Sequence, residues 1–463
     1  STSLICIVRQ KMPSSASTCP PLPKIEVTGF AEQFDSVYLR SAAVHFEQAG
    51  KARSFDLALR HSSVIVLLYH RERKEFLCVR QFRPAVFVHN VLQLEENRGK
   101  RVEEVKWDEY DREMGCTVEL CAGLIDKEDM PLIEIAREEI EEECGYAVQT
   151  RDIQHITSYI VGMSESGAPQ NLFYAEIDDS MLHNDGGGNA HEGEFIYKVW
   201  LSESAVHCIL SDPDPRMQPA ALFAFMWWFD RQKVIKYPQN ASTNWSLTPT
   251  DFNLNAASAM ENIRLEVKPA ENHFRPFRML FNINGIPRSW DMIHSGDSAA
   301  VLLYNVDSHM LVLTQRFRPA TLVGRARHQV DNKGGDPLAV DWSSVPWQWA
   351  YTAELCSGHI RDGETVSSCA VRNVATKAGY KLDESRLWRL STPIIGISQG
   401  GDRQTIYYAE VRDTDALASY TYCDDVRPYA VTRATAQSII RAKLAPTPPS
   451  VHYAIQWFLS NVS

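Results

Sequence analysis

Glu139, Glu142 and Glu143 stand at i, i+3 and i+4 in the run Arg137-Glu-Glu-Ile-Glu-Glu-Glu-Cys-Gly145. On an α-helix this spacing puts the three carboxylates on one face. Like charges so placed repel by about 0.2–0.5 kcal/mol per pair. A hard divalent cation removes that repulsion, and an all-oxygen ligand set suits Mg²⁺ or Mn²⁺, held by a few carboxylates together with substrate phosphates. A solvated acidic helix face is the plain alternative. Gly123 weighs against it, because a glycine before the helix permits a tight loop that aims a backbone carbonyl, that of Ala122, at the same cation.

The elements that must position these groups follow from the pattern. Met130 to Glu143 has helical periodicity through Leu132, Ile135, Ala136 and Ile140, with Gly145 as its C-cap. Val64 to Tyr69 and Phe76 to Val79 read as a hairpin of β-branched and aromatic residues, and Ala220 to Phe229 as a second helix. The expected class is α/β (α+β), a mixed sheet sandwiched between helices.

The whole pattern occurs twice. Arg80-Gln-Phe-Arg-Pro-Ala85 returns as Gln315-Arg-Phe-Arg-Pro-Ala320, Glu119-Leu-Cys-Ala-Gly123 as Glu354-Leu-Cys-Ser-Gly358, and Phe55-Asp56 as Trp290-Asp291, each 235 residues later. Gly145-Tyr146 returns as Gly379-Tyr380 at 234. One register held over so many segments means two copies of one domain. The expected division is a disordered leader at 1–23, a first copy at 24–236, a Pro/Asn/Ser/Thr-rich linker at 237–261 and a second copy at 262–463.

Composition bounds the partners. The chain of 463 residues is 44% hydrophobic and 23% charged, with a net charge of −11, and it lacks the basic stripe that nucleic-acid binding needs. No apolar run is long enough to span a membrane. The ten cysteines form no CxxC pair, which argues against a zinc ribbon or disulfide framework and for reduced thiols in the cytoplasm.

Gly123 to Tyr146 resembles the Nudix box, GX5EX7REUXEEXGU. Together with Arg80-Gln-Phe-Arg-Pro-Ala85, Glu119-Leu-Cys-Ala-Gly123 and His191-Glu-Gly-Glu-Phe-Ile196, it resembles the UDP-sugar/ADP-ribose pyrophosphatase branch of the Nudix superfamily. The resemblance implies Mg²⁺-dependent attack of water on the pyrophosphate of a nucleoside-diphosphate sugar, with UDP-glucose favoured and UMP and glucose 1-phosphate as products. ADP-ribose is the sibling substrate, and a catalytically weak nucleotide-binding or scaffold protein is the reading from another class. The resemblance further implies that Glu139, Glu142 and Glu143 are metal ligands. Arg83, with Arg80, holds the pyrophosphate through the planar fork that suits phosphate oxygens, a surface salt bridge being the alternative. Glu194, or Glu192 beside it, positions or deprotonates water from a loop hinged at Gly186-Gly-Gly188. One departure stands out: Glu138 occupies the position where the family carries a basic residue, so an extra negative charge is expected beside the metal.

The second copy keeps the frame, with Glu364 and Arg372 in place, but Asn373, Thr376 and Lys377 occupy the three ligand positions, and Cys423-Asp-Asp-Val-Arg-Pro428 replaces the Glu-Gly-Glu loop. It reads as a degenerate domain whose Lys377 ammonium takes the place of the metal. The family pairs two such domains, an aromatic of one stacking on the nucleobase of the other. Pairing of the two copies as an intrachain pseudo-dimer, with or without further homo-oligomers, makes Trp290 the aromatic that enters the working site and Phe55 the one that enters the dead site.

Overall fold

The computed structural model describes residues 24–31, 36, 38–127, 129–188, 196–232, 260–267, 276–329, 340–421 and 425–462. The expected leader, nearly all of the expected linker, and Glu192 and Glu194 lie outside them.

The first copy runs β1 (Ile25–Ala31), β2 (Arg40–Gln48), β3 (Lys51–Leu59), β4 (Ser63–His70), β5 (Glu75–Phe82), α1 (Pro84–Leu92), β6 (Cys116–Glu119), β7 (Cys121–Leu124), α2 (Leu132–Glu139), β8 (Ile153–Val161), β9 (Ala168–Ile177), β10 (Tyr197–Ser202), α3 (Glu203–Ser211) and α4 (Pro219–Gln232). The second repeats it as β11 (Glu261–Val267), β12 (Pro276–Ile283), β13 (Ile286–Ile293), β14 (Ser298–Asn305), β15 (Met310–Phe317), α5 (Pro319–Gln329), β16 (Tyr351–Glu354), β17 (Cys356–His359), α6 (Val366–Asn373), β18 (Trp388–Ser391), β19 (Gln404–Val411), β20 (Val426–Val431), α7 (Arg433–Arg441) and α8 (Pro449–Asn461). Each copy is built on a mixed seven-stranded sheet, with β4 parallel to β9 and β14 parallel to β19 at its centre.

The central strands are apolar on both faces, as a sheet covered on both sides requires. In β4, Val64, Val66 and Leu68 pack under α2, while Ile65 and Leu67 turn to a second core. In β14, Ala299, Val301 and Leu303 pack under α6, while Ala300 and Leu302 join the core that Ile65 and Leu67 face. That shared core lies between the copies, and α4 packs against α8 across it.

The copies also exchange edge strands, a detail of their pairing that the sequence did not reveal. β1 of the first copy pairs with β12 of the second, and β11 of the second pairs with β2 of the first. Backbone bonds run directly across: Ile160 N–H to Thr447 O and Ile394 N–H to Met217 O, both 2.9 Å. A Cβ added to Gly324 would meet Gly167 O at 2.0 Å, so the two backbones touch there without a side chain between them.

His452 of α8 is fully buried in this joint, with its Nε2 3.4 Å from Thr157 Oγ1 of the first copy. Burial pushes its imidazole down from 6.5 to about 3. A depressed folded-state value means that the unfolded chain takes the proton first, so this contribution to stability is present above about 6.5 and is lost as pH falls toward about 3. Urea midpoints should therefore drop over that window in the wild type. The drop should be smaller in His452→Gln, and an equal drop in both would exclude His452 as its source.

The expected helix over Met130 to Glu143 is two pieces. α2 ends at Glu139, and residues Ile140–Cys144 form a π turn, closed by Gly145 at φ 81°. The equivalent Val374–Ala378 is also a π turn, closed by Gly379 at φ 76°. The wider turn therefore belongs to the frame of both copies and rotates the last ligand positions relative to an unbroken α-helix.

Candidate active site

Glu139 lies over the end of β7: a Cβ on Gly123 would fall 1.9 Å from its carboxylate. Only glycine leaves room for that carboxylate, which is a reason for Gly123 beyond loop flexibility. Glu143 is 5% exposed, and its Oε2 accepts the Ala122 N–H at 2.9 Å. Glu142 is exposed. The expectation of three carboxylates on one face of a continuous α-helix is corrected accordingly: in the π turn Glu143 is buried against β7 and Glu142 lies at the surface. Glu139, Glu143 and Ala122 are thereby brought together.

The glycine run is also different from expectation. Gly187 N–H donates to Glu143 O at 2.9 Å and Gly188 N–H to Glu142 O at 3.2 Å. Rather than a loose hinge, the run caps the carbonyls at the end of the π turn, with all three glycines at positive φ.

The extra charge on Glu138 is neutralised. Its Oε2 lies 2.5 Å from Lys127 Nζ, and Arg137 lies 3.5 Å from its other oxygen. In the second copy Arg372, the counterpart of Glu138, pairs with Glu364 at 2.6 and 2.7 Å. Lys127 is not the counterpart of Glu364, so the first copy balances the changed charge at this position through a different partner.

Arg83 forms a bidentate pair with Glu119, both contacts 2.8 Å, and Glu119 is 3% exposed. The twin pair, Arg318 with Glu354, lies at 2.7 and 2.9 Å. Burial pushes the Glu354 carboxyl up, but Arg318 and Arg316 outweigh it and hold it at about 2. The pair is therefore part of the frame, and the salt bridge of Arg83 is with a buried carboxylate and not a surface one. Arg80 pairs with Glu113 at 2.7 and 2.6 Å. Sequence reasoning missed Arg60, whose guanidinium is pushed down to about 10 by burial and by the charge of Arg83. With Lys127, Arg327 and His328 it lines a cavity of about 380 Å³ beside the box loop. No local motif marks Arg60, because the partners that enclose it come from both copies.

Trp290 reaches the first copy. Its ring centroid is 5.8 Å from the Arg83 guanidinium, and its Nε1 donates to Ser398 O at 3.0 Å. It packs against a cluster that includes Ala85, Phe87 and Val88 of α1. Phe55 packs instead against the shared core.

In the second copy, Asn373 takes the place of Glu139, its Oδ1 lying 2.2 Å from a Cβ added to Gly358. Thr376 turns back to Arg372 O at 2.8 Å. Lys377 Nζ donates to Ser357 O, and Ser357 occupies the same register on β14 that Ala122 occupies on β4. The ammonium thus bonds the carbonyl equivalent to that of Ala122. Burial and the nearby Arg316 push Lys377 down to about 8. Lys377→Ala should leave turnover within about twofold of wild type, the spread of a surface-like change in a separate site; a large loss would place chemistry in the second copy.

No protein-family model matches the chain. The chain is 34% identical over 216 residues to the uridine diphosphate glucose pyrophosphatase of Bos taurus, covering 45% of this chain and 96% of that protein. It belongs to the Nudix pyrophosphatase family. The Mus musculus uridine diphosphate glucose pyrophosphatase is 32% identical over 42% of this chain and 90% of its own length. A GDP-mannose pyrophosphatase of Cronobacter sakazakii is 31% identical over 31% of this chain and 63% of its own length. The Nudix architecture of two similar seven-stranded sheets accords with this membership, and Nudix pyrophosphatases use a divalent metal. The residues present fit such an ion: hard oxygen donors converge at Glu139 and Glu143, and the degenerate copy puts an ammonium against the matching carbonyl. Among the described residues no helix is long and apolar enough to cross a membrane.

Proposed function

We propose that the first copy hydrolyses the pyrophosphate bond of nucleoside-diphosphate sugars, with UDP-glucose favoured and UMP and glucose 1-phosphate as products, and that the second copy completes its site without doing chemistry. The observation that carries this reading is the contrast at two frame positions: carboxylates at Glu139 and Glu143 in one copy, Asn373 and Lys377 in the other. Glu139, Glu142, Glu143 and the Ala122 carbonyl would hold Mg²⁺. When bound, it neutralises pyrophosphate charge and acidifies a water. Arg83, oriented by Glu119, directs its positive charge toward the pyrophosphate, and Arg60 adds positive potential beside it. Glu194 or Glu192 is proposed as the loop carboxylate that positions the attacking water. The cytoplasm suits the thiols of Cys78, Cys121, Cys144, Cys208, Cys356 and Cys369, which form no disulfide.

The substrate reading is tested on the full chain with Mg²⁺ and UDP-glucose, GDP-mannose and ADP-ribose in parallel. The highest kcat/KM is expected for UDP-glucose. A higher value for ADP-ribose reassigns the substrate, and no cleavage of any favours a scaffold.

The pseudo-dimer is proposed as the functional unit, with Trp290 as the platform on which the nucleobase stacks. Base stacking on an aromatic is worth about 1–3 kcal/mol in single-stranded nucleic-acid complexes. Trp290→Ala should therefore raise KM for UDP-glucose on the order of 5- to 100-fold at that energy, with Phe55→Ala near wild type. Equal effects of the two changes contradict the assignment.

A further inference from the structure

The joint between the copies holds a second group of side chains that hydrolysis does not use. His89 of α1, His294 just after β13, and Asp402 just before β19 place one potential ligand atom each within 4.8 Å of the others. His294 Nδ1 is 3.1 Å from Asp402 Oδ1, and His89 Nδ1 is 3.8 Å from the same oxygen. Tetrahedral ligands at ordinary zinc distances lie about 3.4 Å apart, between these two values.

His89 is the second observation. It is 1% exposed, and neither of its ring nitrogens has a hydrogen-bond partner. A buried polar group left in that state is costly and calls for an explanation. Its Nε2 faces Asp297 Oδ1 at 3.3 Å, and that carboxylate is fixed by the Arg403 N–H at 2.8 Å. A histidine that binds a metal through one nitrogen and faces a carboxylate with the other is the common arrangement around zinc. Asp402 is anchored as a ligand would be, with Oδ1 accepting the Gly296 N–H at 2.9 Å and Oδ2 the Ser295 N–H at 3.1 Å.

The frame does not require these residues. Counting forward 235 from His89, back 235 from His294 and back 234 from Asp402, the register of β9 against β19, their counterparts at the other joint are Gly324, Leu59 and Ala168. None of the three side chains can bind a metal, and that joint closes by backbone contact of Gly324 with Gly167.

We propose that His89, His294 and Asp402 form a site for a transition-metal dication, Zn²⁺ in particular, at the joint of the two copies and distinct from the oxygen-rich site of Glu139, Glu142 and Glu143. Two imidazoles and one carboxylate, with water as fourth ligand, suit Zn²⁺ rather than Mg²⁺. Asp297 is a positioning residue that orients His89. The ion ties the segment 396–402 to α1. That segment carries Ser398, the acceptor for Trp290, and α1 follows directly on Arg83. The site holds the two sides of the proposed nucleotide pocket together, but its existence does not depend on the substrate reading.

The test uses the full chain, stripped with a chelator and titrated with Zn²⁺ by calorimetry, and with Co²⁺ by visible absorption. Wild type and Glu142→Gln should both bind Zn²⁺ at this site and gain Tm on binding. His294→Ala, a partly exposed position, should lose the site while keeping its metal-free Tm, and Asp297→Asn should bind about 10- to 100-fold more weakly. Zinc-edge anomalous diffraction from wild-type crystals should place the ion between His89 and Asp402, which decides the matter if a variant fails to fold. Equal Zn²⁺ affinity in wild type and His294→Ala, or an anomalous peak only at the glutamate site, overturns the proposal.

Discussion

Glu143→Gln is expected to lower kcat on the order of 10²- to 10³-fold, the usual loss when one preorganised electrostatic contact of a transition state is removed. The choice of glutamine follows from burial. Glu143 is 5% exposed and accepts the Ala122 N–H, and the glutamine carbonyl can still accept that bond, so the strand end stays in place. Alanine would leave the amide unsatisfied and mix a folding defect with a catalytic one. Removing the charge alone weakens the hold on the cation while the hydrogen bond survives. Turnover measured at saturating Mg²⁺ reads this effect, with circular dichroism as the check on folding. Wild-type rates in the variant would refute Glu143 as a ligand.

Arg83→Ala should destabilise the chain by about 3–5 kcal/mol, because it breaks the buried pair with Glu119, and Arg318→Ala by less, because Arg316 still pairs with Glu354 at 3.2 Å. Only Arg83→Ala should also raise KM for the nucleotide sugar, by the loss of a charge-assisted bond worth about 1.5–3 kcal/mol. The twin change in the second copy is an internal control for the structural part, since the two pairs share geometry but only one faces Trp290. Urea unfolding gives the first quantity and steady-state kinetics the second. A KM effect of equal size in both variants would show that Arg83 acts through stability alone.

The duplication, the box and the loss of ligands in the second copy were legible because each is written in contiguous residues. So was the central strand Ser63-Val-Ile-Val-Leu-Leu-Tyr69, whose buried faces are set by alternation alone. What sequence missed depends on geometry between distant segments. The i, i+3, i+4 reading assumes an unbroken α-helix, and the π turn at Ile140–Cys144 breaks that assumption. Lys127 and Glu138 meet only because the box loop folds back, so Glu138 read as an uncompensated charge when it is half of an ion pair. Gly186 to Gly188 read as a hinge because glycine permits motion, yet the Gly187 and Gly188 amides are spent on the carbonyls of Glu143 and Glu142 and that of Gly186 on Asn184 Oδ1. The strand exchange of β1 and β11 leaves no local trace, since an edge strand looks the same whichever sheet it joins.

The measurement that bears most directly on the central claim is the identity of the products that the full chain forms from UDP-glucose with Mg²⁺, followed by phosphorus NMR, with Glu139→Gln as the comparison. UMP and glucose 1-phosphate from the wild type, and neither from the variant, is the predicted result. UDP and free glucose, no cleavage by the wild type, or undiminished cleavage by the variant would contradict it.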